Sequence, residues 1–211
     1  MNVKIRLENE KDYRAVEELT REAFWNVHVP GCCEHYLIHT LRRSPDFIPE
    51  LDFVAVSGGK IVGHIAYSRG QIIDAAGERH PVIGFGPVSV LPELQRQGIG
   101  STLINHSLEE AKKKGYKAVL IYGDPRYYNR FGFHCAEKYD IQASFGKYAV
   151  ALLALELSHG ALSGISGRFM ESSAYDVDQQ AIGEFDKTFP PKEKLHTPTQ
   201  DEFKVIVSLV Y

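Results

Sequence analysis

The sequence predicts an α+β domain, a mixed sheet flanked by helices, on three observations. Short apolar alternations around a Gly58-Gly59 pair read as a meander of strands. An amphipathic stretch from about Gly98 to Lys114 lies between two apolar runs. Hydrophobic residues at 44% and charged residues at 24% are ordinary for a globular chain. With 211 residues the chain reads as one domain and a remainder, large enough to bury roughly 70% of its unfolded surface without a metal or disulfide framework.

Val3, Ile5 and Leu7 alternate with Lys4 and Arg6, a first strand. Asn9 can cap a helix from about Glu10 to Phe24, with Asp12 in its first turn and Tyr13, Val16, Leu19 and Ala23 at helical spacing. After Pro30-Gly31 a shorter helix is expected over Cys33 to Arg42, closed by Pro45 and Pro49. Leu51 to Val56 and Ile61 to Tyr67 read as strands joined by the two glycines. Val82 to Val90 reads as a fourth strand, yet Gly84, Gly86 and Pro87 inside it predict a bulge or a parting of strands. The helix from Gly98 ends in Lys112-Lys113-Lys114 and Gly115, cations at the negative pole and then a left-handed turn. Ala118 to Tyr122 is a short strand, and Pro125 opens a short helix that Gly132 ends. Val150 to Leu157 fits strand or helix by periodicity alone. From Gly160 to Gln200, Ser, Gly, Pro and charged residues dominate. Phe203, Val205, Val207, Leu209 and Tyr211 then alternate as a terminal strand.

Chemistry concentrates in Gly86 to Gly100, where a strained strand leads through a short loop into a helix that opens Gly98-Ile99-Gly100. Unpaired N–H groups and a partial positive charge make such a helix start an anion site; the glycines admit a phosphate to the backbone and Arg96 adds a cation. No GxxxxGK[ST] string is present. GxGxxG fails because Leu103 stands at its third glycine, and Gly164-Ile165-Ser166-Gly167 has the wrong spacing for GxSxG.

Gln95-Arg96-Gln97-Gly98-Ile99-Gly100 resembles the Q/R-x-x-G-x-G/A signature of the GNAT superfamily of N-acetyltransferases, and Tyr127 to Phe133 resembles its Y-x-x-x-G-F motif. The first strand and helix, the two-glycine hairpin and Gly63 also sit where the family has them. The resemblance covers about Val3 to Leu157. It implies residues 1–157 as the acetyltransferase domain and 158–211 as an extension packing on the domain or on a partner. The implied fold has a mostly antiparallel central sheet splayed between its fourth and fifth strands, with acetyl-CoA in the gap. Carried over residue by residue, Gln95, Arg96, Gln97, Gly98, Ile99, Gly100 and Ser101 bind the pyrophosphate, and backbone groups of Val88 and Val90 bind the pantetheine arm. Tyr128 is the general acid that protonates the leaving thiolate. The implied reaction is direct attack of a primary amine, in a small molecule or peptide, without a metal.

The sequence departs from the family at two points. Gly123-Asp124 replaces the Asn that many members carry after the fifth strand, leaving Asp124 as an acceptor for the cofactor arm. Val82-Ile83-Gly84-Phe85 offers no carboxylate as general base, so the base is open among His80, Glu50, a water chain and bulk solvent. These departures sustain an alternative, a non-catalytic acyl-CoA-binding or sensor domain.

Cys32, Cys33, His35 and His39 are candidate zinc ligands by residue type. His35 and His39 share a helix face, but adjacent cysteines point apart and no second ligand pair is evident. In the family the region between the first two helices lines the acceptor pocket, which implies that role for this segment with Trp25 and His28. Cys135 and His134, neighbours on a strand, face opposite ways and make a poor dyad. A net charge of −3 argues against a broad nucleic-acid surface. No apolar run approaches the about 20 residues of a membrane span; Ala149 to Leu155 is the longest. Three cysteines without CxxC spacing and a start lacking an apolar h-region predict a reduced, cytoplasmic protein. A terminal strand at Phe203–Tyr211 can add to a sheet edge in its own chain or in a partner's, which makes a homodimer an expectation.

Overall fold

A computed structural model describes residues 2–211. Strand β1 (Lys4–Leu7) leads through a 3-10 turn, Glu10–Asp12, into α1 (Tyr13–Phe24). The Asn9 side chain accepts the Lys11 N–H while Asp12 accepts the Asn9 N–H, the reciprocal pairing that starts a helix. Helix α2 (Glu34–Leu41) follows, then β2 (Phe53–Ser57), β3 (Lys60–Ile73) and β4 (Arg79–Val90). Gly58 and Gly59 both have positive φ, +57° and +79°, as a two-residue hairpin with the right twist requires. Helix α3 (Ile99–Lys113) ends as expected: Gly115 turns left-handed, and the Tyr116 N–H closes onto the Ala111 carbonyl. The chain continues through β5 (Ala118–Tyr122), α4 (Pro125–Tyr128), β6 (His134–Cys135), β7 (Ile141–Gln142), β8 (Leu152–Glu156), β9 (Gly167–Met170), α5 (Gln179–Asp186) and α6 (Pro198–Ser208). No helix is long and apolar enough to cross a membrane among the described residues.

The strands form one mixed sheet in the order β1-β2-β3-β4-β5-β8-β6, with β9 pairing β3 and β7. The β4–β5 pair is parallel, with Ile83 opposite Val119; β1–β2, β2–β3, β5–β8 and β3–β9 are antiparallel. Gly84 is required where β4 meets β5, because a Cβ there would lie 2.6 Å from the Leu120 carbonyl oxygen. By contacts the chain clusters into two compact units. The first holds residues up to Tyr67, Gly86–Ser107 and Ser173–Asp201, and its core is Val16, Ile38, Leu41, Val54 and Ala66. The second holds Ser68–Phe85, Leu108–Ser172 and Glu202–Tyr211, around Val82, Leu120, Leu152, Ala154, Leu162 and Phe169.

Three segments differ from expectation or resolve it. Val150 to Leu157, open between helix and strand, contains β8. It lies between β5 and β6, and both of its faces are covered, which is why Leu152, Leu153 and Ala154 show no alternation. Of the terminal strand expected at Phe203–Tyr211, the residues up to Ser208 belong to α6, and Leu209–Tyr211 pair antiparallel with Tyr148–Val150 through main-chain hydrogen bonds. The period-two alternation hid a helical stripe: Phe203, Ile206 and Val210 are half-buried, while Val205, Val207 and Leu209 are exposed. Pro198 at the first helical position and Asp201 in the first turn were the helix signals. The expected strand is thus cut to its last three residues, which pair within the chain. The stretch after Gly160, described from the sequence only by its polar composition, holds β9 and α5. Gly70 admits β9, since a Cβ there would sit 3.0 Å from the Phe169 ring, and Asp178 caps α5 by accepting the Ala181 N–H.

Candidate functional site

In the first unit the last residues of β4 alternate, with Pro87 and Ser89 buried and Gly86, Val88 and Val90 half-exposed. The Gly86–Pro87 peptide is cis, and the strand runs on to Val90. Ser89 is held by α1 through a buried hydroxyl pair with Thr20, 2.9 Å. Beyond Val90 a 3-10 turn, Pro92–Leu94, leads into the signature loop.

The loop is built mainly from backbone. Arg96 and Gly98 both occupy the left-handed region, φ +60° and +88°, the kind of backbone path that turns successive amides into an anion-binding concavity. Gln95 donates from its side chain to the Val90 carbonyl (3.1 Å) and Gln97 to the Glu93 carbonyl (3.2 Å), so both glutamines brace the loop. Gln95 to Gly98 are exposed, and a side chain at Gly98 would meet nothing within 4 Å. Ile99 is buried, and Gly100 and Ser101 are half-buried. The amides of Ile99, Gly100 and Ser101 open the helix, where N–H groups lack intrahelical partners. Gly63 sets this helix start against β3, since a Cβ there would lie 2.9 Å from Leu103 and 3.2 Å from Ile99. The whole can hold a phosphate group by backbone donors and helix dipole.

In the second unit Gly123 follows β5 and hands the chain to α4. Asp124 caps that helix by accepting the Arg126 N–H at 2.8 Å, and the Arg126 guanidinium grips its carboxylate at 2.7–3.0 Å. That grip holds the Asp124 carboxyl below the usual carboxylate range. Tyr128 is half-buried, with its ring near Phe85 (6.0 Å between centroids), Phe133 (5.9 Å) and Tyr127 (5.0 Å). A Cβ at Gly123 would be 2.4 Å from the Tyr128 ring, so this ring takes the space of any side chain there. Here is a packing reason for glycine at the position where the sequence departs from the family. Burial pushes the Tyr128 phenol above its ordinary value, so it keeps its proton at neutral pH. Gly132 turns left-handed (φ +89°) and Phe133 anchors the motif in the core.

Of the other candidates, His80 pairs with Asp74 at 3.0 Å at the start of β4, the end opposite the signature loop. Cys32 contacts the His35 ring at 3.3 Å, whereas His39 bonds Glu17 at 2.8 Å, so the cysteine–histidine group does not converge. Burial raises both Cys32 and Cys33, the latter to about 12, which leaves neither a thiolate at neutral pH. Glu8, Asp52 and His64 lie close enough to hold an ion, but the Arg42 guanidinium already occupies Glu8 at 2.7 and 2.9 Å.

Sequence reasoning missed a cluster where the α1–α2 connection meets residues 186–200. Asn26, at φ +60°, accepts the Gly31 and Leu195 N–H groups and donates to the Glu193 carbonyl; its own carbonyl accepts from Thr197 and Gln200. Arg21 is buried against Asp186 at 2.7 Å and stacks on Trp25. Tyr175 donates to the Gly86 carbonyl at 3.2 Å. The only early signal was an Asn preceding a loop, which any turn supplies.

A family model described as an acetyltransferase (GNAT) domain matches residues 4–136. The uncharacterised N-acetyltransferase YhbS of Escherichia coli strain K12 is 30% identical over 164 residues, 77% of this chain and 92% of that one. The crystal structure of YhbS from Escherichia coli in complex with CoA superposes with a TM-score of 0.74 at 26% identity, over 84% of this chain and 93% of that one. A GNAT family acetyltransferase from Brucella melitensis in complex with acetyl-CoA gives 0.67 at 28% identity, over 83% and 99%.

Proposed function

The chain belongs to the GNAT family of acetyltransferases, and we propose that it moves the acetyl group of acetyl-CoA to a primary amine by direct attack in a ternary complex. The observation that carries this reading is the loop Gln95–Ser101, whose left-handed Arg96 and Gly98 and helix-opening amides suit a pyrophosphate. Structural relatives bound to CoA and acetyl-CoA support the cosubstrate. Half-exposed Val88 and Val90 offer backbone groups to the pantetheine arm.

In the reaction the amine nitrogen bonds the thioester carbon, the carbon–sulfur bond breaks, and the amine's surplus proton leaves to base. Tyr128, kept protonated, donates to the departing sulfur. Backbone donors can stabilise the developing oxyanion, and binding both substrates supplies the orientation. Asp124 has a structural task in capping α4, and its contact with the cofactor arm is a further part of the proposal. With no carboxylate at Val82–Phe85, the base that takes the amine's proton is Glu50, a water chain or bulk solvent. An alkylammonium of pKa about 10.4 then makes kcat/KM rise about tenfold per pH unit below that value. We place the reaction in the cytoplasm, consistent with Cys32, Cys33 and Cys135 being free thiols.

The test is a panel of small and peptide amines with acetyl-CoA, read as free CoA and as acetylated amine by mass. Turnover on at least one amine, slowed about 10-fold or more by Tyr128→Phe with unchanged acetyl-CoA affinity, is expected. Acetyl-CoA binding without CoA release on any amine, and no change in Tyr128→Phe, would replace this reading with an acyl-CoA sensor.

A further inference from the structure

The strand that carries Val88 and Val90 has a side chain bonded to its backbone at each end of that stretch. At the loop end, Gln95 donates to the Val90 carbonyl at 3.1 Å. At the other end, Tyr175 donates to the Gly86 carbonyl at 3.2 Å, from 89 residues further along the chain. Gly86 lies two residues before Val88 on the strand, across the cis Gly86–Pro87 peptide. The phenol thus stands beside the segment proposed for the pantetheine arm, at the end away from the phosphate loop. The residues beside it are packed or closed into a turn. Ala174 packs onto the core around Val16, Ile38, Leu41, Val54 and Ala66, Ser172 is buried, and the Asp176 N–H closes a turn onto the Ser173 carbonyl. A side chain at Gly86 would come within 3.9 Å of the phenol oxygen, so the strand and the phenol meet closely.

We propose that Tyr175 is a positioning residue of the amine site: by holding the Gly86 carbonyl it sets an acceptor for an N–H of a primary amine approaching the thioester. This rests on the acetyltransfer reading above. A neutral primary amine in attack has two N–H bonds to orient, and a carbonyl on the cofactor strand takes one without withdrawing the nitrogen lone pair. No covalent step is assigned to Tyr175. The inference also gives residues 173–175, beyond the stretch that resembles the family, a part in choosing the substrate.

Tyr175→Phe removes the donor and keeps the ring. On the best amine of the panel, KM for the amine should rise about 10-fold, while KM for acetyl-CoA and the Kd of CoA stay within twofold and Tm shifts by no more than a few degrees. Should Tyr175→Phe fail to fold, Tyr175→His, which keeps a ring N–H donor, is measured in its place and should keep KM for the amine within threefold of wild type. Unchanged amine kinetics in Tyr175→Phe overturns the inference alone, as does a common loss of Tm, amine KM and acetyl-CoA KM, or a raised amine KM in Tyr175→His. A wild-type chain that turns over no amine overturns the acetyltransfer reading and the inference with it.

Discussion

The signature loop and the Asn26 cluster belong to the same compact unit and are built by opposite means. From Gln95 to Gly98 the loop is exposed, and its conformation resides in its own backbone, with Gly98 facing open space. The Asn26 cluster depends on side chains and main chain meeting across long sequence separations, such as the Leu195 N–H bonding Asn26 across 169 residues. A backbone device needs only a few residue types at fixed spacing. A side-chain device needs pairs whose proximity exists only after folding.

Gly98→Asp gives the sharpest separation. The variant puts a side chain in the left-handed region and a carboxylate beside the proposed phosphate site, and should weaken acetyl-CoA binding at least about 100-fold by titration calorimetry, roughly 2.7 kcal/mol. Asn26→Ala should do the reverse. It removes three side-chain hydrogen bonds and puts alanine at φ +60°, costing about 2 kcal/mol of stability, with faster amide exchange at Leu195 and unchanged acetyl-CoA affinity. If Asn26→Ala weakens acetyl-CoA as much as Gly98→Asp does, the two devices are not separable. Gly123→Ala tests a mixed case, where a glycine serves a side chain. The added methyl must move the Tyr128 ring, and kcat on the panel's best amine should fall about 10-fold with acetyl-CoA affinity within threefold. An unchanged kcat would mean that the ring position does not matter to the chemistry.

The same contrast explains what was legible in the sequence. Gln95–Gly100 and Tyr128–Phe133 could be read because glycine is required at particular turns, and the β2–β3 hairpin for the same reason. The reason for Gly123 could not be read, because it lies in the Tyr128 ring and not in the backbone. Strand β9 and helix α5 were hidden in a polar composition, although Asp178 with Ile182 and Phe185 is a capped helical stripe in retrospect. The terminal segment misled for a physical reason. Its apolar residues are dense enough to satisfy both periods, and Pro198 was the tie-breaker. Tyr175 left no local trace, since a tyrosine among Ser, Ala and Asp says nothing of Gly86.

The smallest effect probes a second side-chain device in that unit. Glu8 has a fully buried side chain beside Asp52, and burial and that neighbour raise its carboxyl to about 8 despite the Arg42 fork. Between pH 6.5 and 8 the folded chain therefore holds a proton on Glu8 that the unfolded chain, at its ordinary 4.5, has lost. The native state binds more protons, so stability falls as pH rises through this window, by about 1 kcal/mol. Below it the signs conflict: Asp52, raised to about 6, destabilises with rising pH, while His64 and His35, both lowered to about 4, stabilise. Above 6.5 the two histidines, whose unfolded value is 6.5, still add a smaller slope of opposite sign, so the net fall is set by Glu8. Tm of the wild type should decline from pH 6.5 to 8 by a few degrees, and in Glu8→Gln, which carries no titrating proton, the decline should vanish or turn into a slight rise. Acetyl-CoA affinity at fixed pH should be the same in both, because the loop's donors are backbone amides. An equal Tm slope in Glu8→Gln would place the proton elsewhere, and a changed affinity would join the buried cluster to the loop from which the comparison separates it.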